Sequence, residues 1–347
     1  MKMTFRWYGY DDKNTLDYIR QIPGMTGVVT ALYTVPVGEV WPEDEVKRLH
    51  DYVTSHGLEM EVIESVPVSE DIKLHRGDYK RHIENFKENI RILSRHGVKC
   101  ICYNFMPVFD WTRSQLDHKL PDGSEALVYY KEDVDKLDPT KLTLPGWDAS
   151  YKPSEVKELI EAYKKLGEEG LWANLKYFLE EIIPVARECD VLMAIHPDDP
   201  AWPIFGIPRI ITCEKNLDRF LGLVDDHYNG LTLCSGSLGT NPQNDMVHLV
   251  KKYAAMDRIH FAHIRNIKLV GEESFEESAH YSKCGSLDMF GMIKAYHDAG
   301  YTKYIRPDHG RMIWDEKAKP GYGLYDRALG SMYITGIWEA LDKMENK

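Results

Sequence analysis

Nowhere in this 347-residue chain do about 18 consecutive apolar residues occur, so no membrane-spanning helix is expected. The opening stretch "MKMTFRWYGYDD" has no apolar core of a secretory signal, and the expected location is cytoplasmic. Positive charge is in deficit, with 43 Lys and Arg against 55 Asp and Glu and a formal net charge of -12. That balance disfavours a broad phosphate-binding surface, so nucleic acid is not an expected partner, although a local basic pocket for a small anion is compatible with it. Cysteine is sparse: six residues, none in a CxxC pair, exclude a disulfide scaffold and leave Cys100 and Cys102 as core residues on one strand face. Neither "WYGYDD" nor "GYGLYDRALG" has the glycine spacing of a dinucleotide fingerprint, so no nucleotide cofactor is expected.

What the chain does contain is alternation. Eight short apolar, β-branched runs are separated by longer amphipathic stretches: "MTFRWYG", "TGVVTALY", "LEMEVIES", "VKCICYNF", "VLMAIHP", "GLTLCSG", "IHFAHIR" and "KYIRPDH". Gly57, Gly97 and Gly300 close helical patterns where a left-handed cap is wanted. The expected architecture is an α/β fold, a single (β/α)8 TIM barrel spanning 1–347, with an open doubly wound sheet as the structural alternative. A long polar insertion at 106–153 follows the fourth strand and is expected on the catalytic face.

Metal-ligand chemistry recurs at the ends of the last four strands: His196 after "VLMAI", Cys234 after "LTL", His263 after "HFA" and Asp308 after "YIRP". Taken singly, each fits a packed core or loop position. In a barrel, strand ends share one rim, and that common position makes a joint site. Side-chain alternation forbids His260 and His263 from both facing inward, and His263, nearer the strand end, is the candidate ligand. Imidazole, thiolate and carboxylate together accept Mn2+, Fe2+, Co2+ or Zn2+. His309 and the glycine-flanked Tyr322 of "PGYG", on a loop read as mobile, are candidates for proton transfer, against the plainer readings of an outward histidine and a loop tyrosine. Arg209, Arg265, Lys268, Arg306 and Arg311 are the cations available to an anionic substrate.

With "FRWYG", "NFMPVFDWTR", "HPDDP", "GIPRI", "LCSGS", "FAHIRNIK", "RPDHGR" and "PGYGLYDRALG" in this order, essentially the whole chain resembles the mannonate dehydratase family of metal-dependent, xylose-isomerase-like barrels. The resemblance implies dehydration of D-mannonate to 2-dehydro-3-deoxy-D-gluconate in hexuronate breakdown. It implies Mn2+ or Fe2+ on His196, Cys234, His263 and Asp308, and proton transfer by His309 and Tyr322. Tyr322 as base and His309 as acid is one order, and the reverse stays open. Trp7, Asn104, Asp110, Arg113, Arg209 and Lys268 are the substrate-binding candidates at matching motif positions, and a homo-oligomer, dimer or higher, is implied. The rival readings are a metal-dependent sugar or sugar-acid isomerase or epimerase on the same barrel, and a barrel that binds a sugar acid without turnover.

Overall fold

A closed ring of eight parallel strands organises the computed structural model, which describes residues 1–138 and 153–345. In chain order the strands of the protein are β1 (Lys2–Arg6), β2 (Met25–Thr30), β3 (Glu59–Glu64), β4 (Cys100–Tyr103), β5 (Gln115–Lys119), β6 (Glu125–Tyr129), β7 (Leu192–Ile195), β8 (Asn229–Cys234), β9 (Ile259–His263), β10 (Asn266–Gly271), β11 (Ser274–Ser278) and β12 (Tyr304–Arg306). The barrel runs β1-β12-β9-β8-β7-β4-β3-β2, so all eight expected strands are barrel staves. Among the described residues, no helix is long and apolar enough to cross a membrane.

The helices wrap this ring because their apolar positions recur on one face. Tyr79–Arg95 buries Ile83, Phe86, Ile90 and Leu93, spaced three or four apart. Gly57, Gly97 and Gly300 take φ of +75°, +81° and +64° just past the helices they end, the left-handed geometry that a side chain disfavours.

Inside the barrel, alternation creates two chemically different floors. Val29, Val62, Cys100, Cys102, Ala194, Phe261 and Tyr304 come from six strands around the ring and touch one another, which is possible only across the lumen. Two residues further along the same staves, the inward position becomes polar: Val62 is followed by Glu64, Ala194 by His196, Phe261 by His263 and Tyr304 by Arg306. An apolar plug thus closes the amino-terminal half while the carboxyl-terminal rim carries the functional groups.

The insertion after β4 contributes more than a loop, although its segment 139–152 lies outside the described residues. β5 and β6 form a hairpin whose inner strand pairs with β11, giving a four-stranded antiparallel sheet in the order β10-β11-β6-β5. The β10–β11 hairpin follows barrel strand β9 and was not expected. Its short polar strands, "NIKLVG" and "SFEES", lack the apolar run of a barrel stave.

Candidate metal centre and active site

His196, Cys234 and His263 each offer a ligand atom, and these atoms lie within 4.8 Å of one another at the ends of β7, β8 and β9. The register explains the convergence, since Cys234 pairs with His263, and His263 with Arg306, on adjacent staves. Asp308 borders the group, its carboxylate 3.4 Å from the Cys234 sulfur and 3.7 Å from His263 Nδ1. β12 ends at Arg306 rather than at Asp308, and Asp308 adopts φ +54°. That left-handed residue breaks the alternation, so the adjacent Asp308 and His309 both face the cavity, which an extended strand forbids.

The donor set fits a divalent cation. His196 directs Nδ1 to the carbonyl of Pro197 at 2.7 Å, leaving Nε2 free for a ligand. His263 Nε2 lacks a hydrogen-bond partner and lies 3.6 Å from an equally unsatisfied Glu64 oxygen, while its Nδ1 faces Arg306 at 3.4 Å and Asp308 at 3.7 Å. Burial and Asp308 push the Cys234 thiol up, but Arg265 and hydrogen bonds from His196 and His263 outweigh them and bring it down to about 6. Burial opposes charge on His196, yet Cys234, Glu64 and Asp308 prevail and raise it to about 9. A bound cation would take the place of the His196 proton, with the Cys234 thiolate as one of its ligands. A second group, Glu64, Cys102 and His263, is less suited: burial holds the Cys102 thiol well above its usual range, and Thr232 hydrogen-bonds its sulfur at 3.2 Å.

A cavity of ≈ 390 Å³ opens above this centre, and His196, Asp308, His309 and Tyr322 all line it. Glu277 on β11 accepts from His309 Nδ1 at 2.9 Å, while His309 Nε2 and the Tyr322 hydroxyl are 2.8 Å apart. In the tautomer whose Nδ1 proton goes to Glu277, Nε2 accepts from Tyr322; Arg265 Nη1, also 2.9 Å from Nδ1, favours the other tautomer, in which Nε2 carries the proton. Burial, reinforced by Tyr8, raises the Tyr322 hydroxyl well above its ordinary value against the opposing pull of Arg306. The "PGYG" segment is also tied down rather than loose. Tyr322 N–H donates to the Lys319 carbonyl at 2.8 Å across Pro320 and Gly321, whose φ is +78°, the pattern of a type II turn. Asn14 and Arg327 each donate to the Tyr322 carbonyl at 2.7 Å.

Behind the cavity lies a buried ionic lattice. Arg113 pairs with Asp199 at 2.8 Å, and Arg265 bridges Asp199 at 2.6 Å to Glu277 at 2.8 Å. Gly236 of "LCSGS" is required here because a Cβ at that position would lie 1.8 Å from Arg265 Nε. Burial raises Glu277, but His309, Arg113 and Arg265 overcome it and hold the carboxyl at about 2. A carboxyl depressed from 4.5 to about 2 stabilises the fold above its unfolded value and loses that contribution as pH falls through the folded one. Glu277→Gln is therefore expected to flatten the pH dependence of the unfolding free energy between pH 4.5 and about 2, a difference on the order of 3 kcal/mol by linkage. Urea denaturation at several pH values measures it, and an unchanged slope counts against the pairing.

The substrate-binding candidates divide. Asn104 and Asp110 line the cavity. Trp7 does not: it sits between the inward positions Arg6 and Tyr8, and its ring stacks on Tyr52 of the surrounding helix Glu43–Ser55. Arg113 is consumed by Asp199 and Glu277 in the lattice. Arg209 is buried, pairs with Asp198 at 3.4 Å and donates to the Phe109 carbonyl at 2.9 Å, so "GIPRI" braces the "HPDDP" loop instead of meeting a ligand. Lys268 is exposed on β10 outside the cavity. Of the other cations, Arg265 is in the lattice, Arg306 pairs with Glu64 and Asp308, and Arg311 pairs with Asp326.

Sequence reasoning missed Arg6, Glu64, Glu277, Lys319 and Trp111, whose ring lines the cavity edge-on to His309. Parity would have found the first two, because each stands two residues beyond an inward position at a strand end. Glu277 had no local signal, since its role depends on a hairpin folding back over the rim.

The whole chain, residues 1–347, matches a family model described as D-mannonate dehydratase (UxuA). It is 55% identical over 343 residues to mannonate dehydratase 2 of Halalkalibacterium halodurans, covering 98% of this chain and 99% of that relative. The crystal structure of mannonate dehydratase from Streptococcus suis serotype 2 superposes with a TM-score of 0.94 at 48% identity, covering 100% of this chain and 96% of that one. An L-ribulose 3-epimerase structure, at a TM-score of 0.56 and 12% identity over 100% of this chain and 97% of the other, shares the fold alone.

Proposed function

From the premise that the chain belongs to the D-mannonate dehydratase family, we propose that it is a hydro-lyase converting D-mannonate to 2-dehydro-3-deoxy-D-gluconate and water. The observation that carries this reading is the gathering of His196, Cys234 and His263, bordered by Asp308, beneath a cavity that also holds His309 and Tyr322.

We assign cation binding to those four side chains; their mixed nitrogen, sulfur and oxygen set accepts Mn2+, Fe2+, Co2+ or Zn2+, and the family resemblance favours Mn2+ or Fe2+. Such a cation, when bound, supplies charge stabilisation for the enediolate that develops beside the substrate carboxylate. His309, its Nδ1 proton held by Glu277, takes the C2 proton on Nε2. Tyr322, which keeps its proton because burial raises it, hands that proton to the departing C3 hydroxyl. Water leaves, and the enol takes a proton at C3 to become the 2-keto acid. Of the two orders open from sequence, histidine as base is the one that goes with the tautomer in which Glu277 holds the Nδ1 proton. The reading includes one catalytic unit over the whole chain, no nucleotide cofactor, a cytoplasmic place in hexuronate breakdown and a homo-oligomer, dimer or higher.

Incubation with D-mannonate and Mn2+ or Fe2+ is expected to yield a 2-keto-3-deoxy acid, and a chelator is expected to stop the reaction. An isomeric acid formed without loss of water would instead establish an epimerase, and binding without any product a non-catalytic barrel.

A further inference from the structure

Four cationic side chains line the cavity, and three already have acids. Arg6 lies 3.9 Å from Glu64, Arg306 is 3.0 Å from Glu64 and 2.8 Å from Asp308, and Lys73 is 2.8 Å from Glu70. The fourth is Lys319, which has no carboxylate partner among the described residues. Its ammonium sits 3.8 Å from the centre of the Tyr8 ring, a contact that positions the charge without neutralising it. Lys319 also opens the turn that ends at Tyr322, so one hydrogen-bonded element presents both residues to the same space.

We propose that Lys319 is the specificity-determining residue that anchors the carboxylate of the substrate. The inference rests on the sugar-acid reading above and adds to it which cation meets the acid group. A sugar acid carries a single full negative charge among neutral hydroxyls. Of the acids on the cavity wall, Glu64, Glu70, Asp199 and Asp308 are already paired with cations, which leaves Lys319 as the lining cation with charge to offer an anion. An ammonium already held on an aromatic platform gives up little freedom on meeting that carboxylate. Lys319 is exposed at the surface of the cavity and braces no other element through an ion pair, so its removal leaves the barrel intact.

The test compares wild type, Lys319→Gln and Lys319→Arg, all loaded with Mn2+, using D-mannonate as substrate and D-mannonamide, which lacks the charge, as competitor. Lys319→Gln is expected to raise KM for D-mannonate about 10- to 100-fold with kcat within about threefold. It should also erase the preference for acid over amide that wild type shows, and Lys319→Arg should restore most of it. An unchanged KM, an equal loss for acid and amide, or a fall in kcat at constant KM would each overturn the assignment. If wild type makes no 2-keto-3-deoxy acid, the dehydratase reading fails on its own. Calorimetric affinities of the same acid and amide for wild type and Lys319→Gln then still decide the role of Lys319.

Discussion

Cys234→Ser is expected to leave the protein folded but nearly free of metal, and to lower turnover of D-mannonate by at least about 10³-fold. The size of the effect follows from where the sulfur sits. It is buried at the end of β8, 3.4 Å from Asp308, and accepts from the Ser237 amide at 3.4 Å and the Ser237 hydroxyl at 3.1 Å. Burial and Asp308 oppose ionisation, but Arg265, His196 and His263 outweigh them, bring the thiol to about 6 and so make a thiolate available near neutrality. A serine hydroxyl is nearly isosteric yet stays protonated under the same influences, so the site loses its soft anionic ligand. Metal content by elemental analysis, a thermal melt and a turnover assay separate ligand loss from unfolding. Full metal occupancy in this variant would remove Cys234 from the centre.

His309→Asn is the second large effect, and here metal binding should survive. Loss of a positioned proton acceptor costs about 10²- to 10⁴-fold in kcat, and a KM within a few-fold is expected because the cavity keeps its shape. The variant pair with Tyr322→Phe distinguishes the two proton roles. With His309 as base, Tyr322→Phe retains exchange of the C2 hydrogen with deuterated solvent while failing to eliminate water, and His309→Asn loses both. The opposite pattern would assign the base to Tyr322. The first pattern is expected for the tautomer in which His309 Nδ1 donates to Glu277 and Nε2 accepts from Tyr322; the tautomer in which Nδ1 accepts from Arg265 gives the opposite one.

Period-two alternation along the strands was enough to place His196, Cys234 and His263 at the ends of staves and to separate His263 from His260. His260 faces the other way, buried against the carbonyl of His227 at 2.8 Å. The same alternation points Arg6 and Glu64 inward, because both follow inward positions. It sends Trp7, between Arg6 and Tyr8, outward into the helix layer.

Charge was the poorest guide. A basic side chain near a motif is equally suited to a ligand and to an internal acid, and Arg113, Arg209, Arg265, Arg306 and Arg311 all found internal acids. Those pairings join residues as far apart in the chain as Arg113 and Glu277, and no local pattern encodes them.

The order of apolar runs and the residue types at their ends determined eight strand and helix units with metal-ligand chemistry at the strand ends, because strand periodicity is a property of local sequence, whereas closure of the ring rests on pairing between distant strands. Which groups stay free to act was decided only by the tertiary structure. Charges and hydrogen-bonding groups choose partners across the whole fold, and one left-handed residue, Asp308, redirects two side chains that an extended strand would have sent apart.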